Sequence, residues 1–125
     1  MPYCRVLLLW ATGLFPSSAL AADKVEYERD VKPILRAHCF RCHGPLKTES
    51  GLRLDTKALA LKGGENGPAL VPRDTDNSRI LQRITGDDAS RMPPEGAPLS
   101  QAEIGTLKTW IAGGAVSPAD EVAED

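Results

Sequence analysis

Within 125 residues, one five-residue stretch constrains the fold more than any other: Cys39-Phe40-Arg41-Cys42-His43. It reads Cys-x-x-Cys-His, the spacing at which a chain takes up a covalently attached haem. Each residue has a chemical task. The two thiols add across the two vinyl groups of the porphyrin. Two intervening residues set the sulfurs at the separation those vinyls need. The neighbouring imidazole then falls under the iron as its proximal ligand. Two other readings compete. A structural zinc site needs four closed ligands, yet beyond residue 21 the chain holds no further Cys, and His38 is its only other His. A redox dithiol calls for a βαβ pattern, which the flanking residues do not show. Haem is therefore the reading adopted, with Cys39 and Cys42 as covalent anchors and His43 as a metal ligand.

The start of the sequence fits that chemistry. Met1 to Arg5 carries one basic side chain, Val6 to Phe15 is a short apolar run, Pro16-Ser17-Ser18 breaks it, and Ala19-Leu20-Ala21 suits a small-residue cleavage site. This is the layout of a signal peptide over residues 1–21. Its apolar run is too short to span a bilayer, which needs roughly 20 apolar residues. The expected location is the periplasm or another exported compartment. Cys4, inside the signal, is given no role. Residues 22–125 hold 14 basic and 17 acidic residues, a net charge of −3. That balance argues against nucleic acid or anionic lipid as a partner.

About 100 residues make one domain, here residues 22–115. Beyond the signal the only aromatics are Tyr27, Phe40 and Trp110. A chain this small buries a modest share of its surface, so the macrocycle is expected to complete the core and the haem-free chain to fold poorly. Asp23 to Glu28 reads as a polar, frayed lead-in. Val31, Ile34 and Leu35 recur at helical spacing, with Pro33 tolerated in a first turn, which predicts a helix from near Asp30 into His38. His38 is expected to face solvent or bond to backbone. Leu52 and Leu54 alternate as a short extended segment. Asp55 is a candidate cap for a short helix over 56–61. Asp76 or Asn77 is a candidate cap for a second helix, bearing Ile80, Leu81 and Ile84 and stopped by Gly86. The glycines Gly63, Gly64 and Gly67 match no phosphate-loop spacing and suit backbone lying close to a haem edge. Arg73, Asp74, Asp76 and Arg79 read as a solvated face. Ser100-Gln101-Ala102-Glu103 is a capping box. It opens a helix with Ile104, Leu107 and Ile111 on one face and Trp110 at its flank, ended by Gly113-Gly114. Trp110 is expected to pack against the first helix or the haem edge. Residues 116–125 read as an acidic, disordered tail.

Arg91-Met92-Pro93-Pro94 is the second informative stretch. Met92 is the only Met beyond the signal, and it sits in a loop stiffened by two prolines rather than in an apolar periodic run. A thioether is a soft ligand for haem iron, and a Met/His pair raises the reduction potential. Met92 is the expected second metal ligand. The competing reading is a loop Met packed on the haem edge over a five-coordinate iron.

Together these motifs resemble class I cytochromes c, and more closely the planctomycete-type cytochrome c domain. The resemblance rests on His38 to Pro45, Ser50 to Asp55, Gly63 to Pro72, Arg91 to Gly96 and Leu107 to Ala115. It implies an all-α, small cytochrome c-like fold in which N- and C-terminal helices cross around one covalent haem c, with His43 and Met92 as axial ligands. It also implies a proline carbonyl that orients the proximal His, with Pro68 in a similar Gly-Pro-x-Leu setting. Domains of this type usually head longer secreted proteins, whereas this sequence stops just past the closing helix, so a free carrier and a shortened relative both stay open. The leading function is a one-electron carrier that performs no bond chemistry, needs no small-molecule substrate and meets redox protein partners. A docking or sensor module for a larger secreted enzyme, or a five-coordinate protein binding gases or peroxide, is the alternative.

Overall fold

A computed structural model describes residues 24–125; the segment read as a signal peptide lies outside them. The described residues form helices joined by long loops, with no β-strand among them. A wide π-helical turn, Tyr27–Val31, runs into α1, Lys32–His38. Pro33 stands in the first turn of α1, and the amide of Lys32 reaches five residues back to the carbonyl of Tyr27. Helical geometry thus begins earlier than the polar lead-in predicted. The cause is tertiary. The Tyr27 ring is 4% exposed and lies 5.4 Å from the Trp110 ring at an interplanar angle of 31°. Burial of an aromatic pair holds a segment whose own sequence would fray.

The remaining helices are α2, Lys57–Lys62, α3, Arg79–Thr85, and α4, Gln101–Ala112, with a 3-10 turn at Glu49–Gly51. Val31 and Leu35 from the opening segment, Ile80, Leu81 and Ile84 from α3, and Leu107, Trp110 and Ile111 from α4 share one buried cluster with Leu70. α4 packs against both the opening turn and α3. Its capping box forms as the sequence predicts: the Ser100 hydroxyl accepts from the Glu103 amide at 3.2 Å, and the Glu103 carboxylate accepts from the Ser100 amide at 2.8 Å.

The other two caps differ from expectation. Thr56, not Asp55, caps α2, its hydroxyl accepting from the Leu59 amide at 3.1 Å. Asp55 is fully buried and is used elsewhere. Its carboxylate accepts from Arg53 at 2.6 and 3.0 Å and from the Glu124 amide at 2.9 Å. Ser78 precedes α3, but its buried hydroxyl donates to the Asp74 carbonyl at 2.6 Å instead of capping. A side chain at a cap position serves whichever partner burial leaves unsatisfied.

Residues 116–125 lie against the body of the chain. The Trp110 indole donates to the Val116 carbonyl at 2.9 Å. Glu121 accepts from the Tyr27 hydroxyl and from the Lys57 amide, and Glu124 pairs with Arg36 at 2.6 Å. Lys32, 7% exposed, has Glu121 at 3.5 Å and Glu124 at 3.9 Å. Acidic composition alone suggests a disordered tail here; the basic and hydroxyl groups that receive it come from distant parts of the chain.

Candidate haem site

The end of α1 builds one wall of a cleft. The Cys39 amide donates to the Leu35 carbonyl at 2.8 Å, and the Cys42 and His43 amides donate to the Cys39 carbonyl at 3.1 and 2.8 Å. This tight turn follows directly on the helix and carries Cys39, Cys42 and His43 into the lining of the same cleft. The Cys42 carbonyl then accepts from Glu49, and that of His43 from Leu54, both at 2.9 Å. These two bonds fold the 44–54 loop back on the motif. They leave the Leu52 carbonyl 3.3 Å from His43 Nδ1. The carbonyl at that distance is therefore Leu52's rather than Pro68's, the one the resemblance offers. A contact to a backbone oxygen close in sequence but across a loop has no side-chain signature, which is why sequence reasoning missed it.

The opposite side of the lining comes from α3 and the proline loop. The Met92 amide donates to the Arg83 carbonyl at 3.0 Å, tying that loop to α3. Met92, Pro93 and Pro94 all line the cleft, and the Met92-Pro93 peptide is cis. Leu52, Leu54, Ala69, Ile80 and Ile84 supply apolar surface. The cleft encloses about 950 Å³, counted with its open mouth.

Gly64 and Gly67 also border the cleft. The crowding that excludes a side chain nearby is, however, with protein backbone. A Cβ on Gly64 would stand 2.3 Å from the Ser50 carbonyl oxygen, and one on Gly63, where φ is +71°, would stand 2.0 Å from that of Gly67. Gly63 and Gly64 let two loops close on each other, whereas Gly67 has no protein atom within 4 Å of a Cβ position and borders the cleft.

His38 lies neither free in solvent nor on backbone. Its Nε2 is 2.9 Å from Glu103 Oε1, which joins the end of α1 to the first turn of α4. The Ser100 amide and, after it, His38 hold the Glu103 carboxyl below the ordinary carboxylate value.

The donor set bears on what the cleft can hold. Cys39 is only partly covered as a residue, but burial around its thiol, with Cys42 adding to it, pushes its pKa up to about 12. A thiol held protonated is a poor dithiol nucleophile. Among the described residues, no group of three or more His, Cys, Asp or Glu side chains is placed to hold a metal ion. Two thiols, an imidazole and a thioether on one largely apolar cleft suit a covalent haem instead.

Residues 39–96 match the family model described as Planctomycete cytochrome C. These residues are a planctomycete-type cytochrome c domain. The matched stretch runs from the first thiol of the domain to Gly96, just past the proline loop, so it contains Cys39, Cys42, His43 and Met92. The family implies covalent haem c. α4, which the sequence resemblance also included, lies outside the matched stretch. No curated protein and no solved structure matches the chain.

Proposed function

We propose that the chain is an exported electron carrier in which Cys39 and Cys42 hold one haem c and His43 and Met92 are its axial ligands. The observation that carries this reading is the presence of Met92 and His43 in the lining of one apolar cleft, with both thiols beside them. Bound there, the haem supplies a one-electron ferric/ferrous couple. The protein's part is to position and insulate. An Nδ1–H on His43 donating to the Leu52 carbonyl leaves Nε2 as the ligand nitrogen, fixes the ring and raises its basicity. The bond from Met92 to Arg83 and the two following prolines stiffen the loop that carries the thioether. Leu52, Leu54, Ile80 and Ile84 keep water from the ring. His38, the other imidazole of the cleft, is engaged with Glu103, which favours a carrier over an enzyme that would need a free base there. Export rests on residues 1–21. Among the described residues, no helix is long and apolar enough to cross a membrane.

The test is an absorption spectrum of the oxidised and reduced protein, exported in a host with haem-attachment machinery. A covalent c-type signature with a far-red methionine–ferric band is expected. A high-spin ferric spectrum with rapid carbon monoxide uptake by the reduced protein would remove Met92 as ligand and point to gas or peroxide chemistry.

A further inference from the structure

The cleft has a charge pattern that the attachment motif and the axial pair do not explain. The chain has more acidic than basic residues, yet no Asp or Glu lines the cleft, and Arg79 and Arg83 do. They stand one turn apart on α3, on the stripe that also presents Ile80 and Ile84 to the cleft. Among the described residues neither arginine forms a salt bridge with a carboxylate. The Arg79 side chain forms no ion pair or hydrogen bond; Arg83 donates from Nη1 to the Ser90 carbonyl at 3.2 Å and lies near enough to Asp88 to add to Ser90 in lowering that carboxyl, without a salt bridge to it. Two guanidinium groups at an apolar cleft whose lining holds no acid, neither of them in a salt bridge, complement a flat apolar ligand that carries carboxylates.

Haem is such a ligand. Its ring is apolar, and its only charged substituents are two propionates. Setting a carboxylate against an apolar wall is costly unless it is paired, and arginine pairs carboxylates in a fork of two parallel bonds. We infer that Arg79 and Arg83 of α3 are the seat of the haem propionates. The inference rests on the haem reading above and adds to it which helix receives the charged edge of the ring. The two arginines are positioning residues. They set the orientation of the macrocycle and screen its negative edge, and so help to set its potential.

The test uses the exported holoprotein. In the reduced wild-type protein, nuclear Overhauser contacts from the propionate methylenes to the Arg79 or Arg83 side chain are expected. Contacts to other residues only would overturn the inference, and this measurement needs no variant to fold. The midpoint potential is then titrated against pH for wild type, Arg79→Gln, Arg83→Gln, the double variant and the two Arg→Lys variants. Loss of a guanidinium leaves a carboxylate unpaired, which favours the ferric form and shifts the potential downward. It also raises the propionate pKa, so the potential gains a pH dependence between roughly pH 5 and 7. Lysine keeps the charge and restores most of the potential. A double variant whose curve superimposes on wild type would overturn the arginine assignment alone. A wild-type chain that leaves the export pathway without covalent haem, read by mass, would overturn the haem reading and this inference with it.

Discussion

His38 Nε2 lies 2.9 Å from Glu103 Oε1, a contact that spans 65 residues and joins the last residue of α1 to the first turn of α4. Glu103 also completes the capping box of α4, so one carboxylate serves two structural tasks. Glu103→Ala should cost about 1–2 kcal/mol, mostly from the cap, with the half-exposed pair to His38 adding little. Thermal unfolding of the holoprotein checks this. Glu103→Gln, which can still accept from the Ser100 amide, should lose less.

The same carboxyl carries a pH dependence of stability. Its folded pKa is held below the ordinary value of about 4.5, first by the Ser100 amide and then by His38. A depressed carboxyl pKa stabilises the fold fully above the unfolded value, and that stability is lost as pH falls through the folded value. Unfolding midpoints should therefore drop below about pH 4.5. In Glu103→Gln this contribution to the acid-side drop should be absent, and an unchanged acid limb would count against it.

Asp55 is fully buried between Arg53 and the Glu124 amide. Burial pushes its carboxyl up, but Arg53 and the amide outweigh burial and hold it below the usual range. Asp55→Ala leaves both donors without their acceptor, at a cost of about 2 kcal/mol. It should also loosen residues 116–125. Faster amide exchange or proteolysis confined to that segment is the expected sign, and an undisturbed segment would show that Glu121 and Glu124 hold it alone.

Two neighbouring glycines should respond differently to alanine. Gly63 (φ +71°) has a carbonyl oxygen 2.0 Å from where a Cβ would stand, whereas Gly67 (φ +85°) has nothing within 4 Å. Gly67→Ala meets no protein atom, and its left-handed backbone costs about 1–2 kcal/mol. Gly63→Ala pays for that and a backbone clash, and should exceed about 3 kcal/mol or fail to accumulate. Chemical denaturation of the two variants side by side decides it.

Met92→Ala should leave haem attachment intact, because Cys39 and Cys42 are unchanged. The far-red ferric band should vanish, carbon monoxide should bind the reduced protein rapidly, and the potential should fall, since a Met/His pair raises it. A variant with an unaltered spectrum would place the sixth ligand elsewhere.

Much of this protein was legible without coordinates, because the informative signals are local. The Cys-x-x-Cys-His spacing depends on five consecutive residues. The Ser100/Glu103 box depends on four, and Pro93 and Pro94 mark the Met92 loop by themselves. Helical periodicity placed Ile80, Leu81 and Ile84, and Leu107 and Ile111, on buried faces. Arg79 was read as part of a solvated face, and it is exposed; that it also borders the cleft follows from its place beside Ile80, Arg83 and Ile84 on one stripe of α3.

What needed tertiary structure was every pairing between distant residues or with a backbone group. Tyr27 on Trp110, His38 on Glu103, Asp55 on the Glu124 amide and the Leu52 carbonyl beside His43 have no signature in sequence. Each depends on loops closing in one particular way, and burial then selects whichever partner lies in reach. The sequence alone therefore determined which chemistry the chain can host, since residue types and short spacings are written in it directly. Only the folded chain decided what lies beside the His43 imidazole, what engages His38, and which charges border the cleft, because long-range packing is the sum of many weak contacts that no short stretch of residues contains.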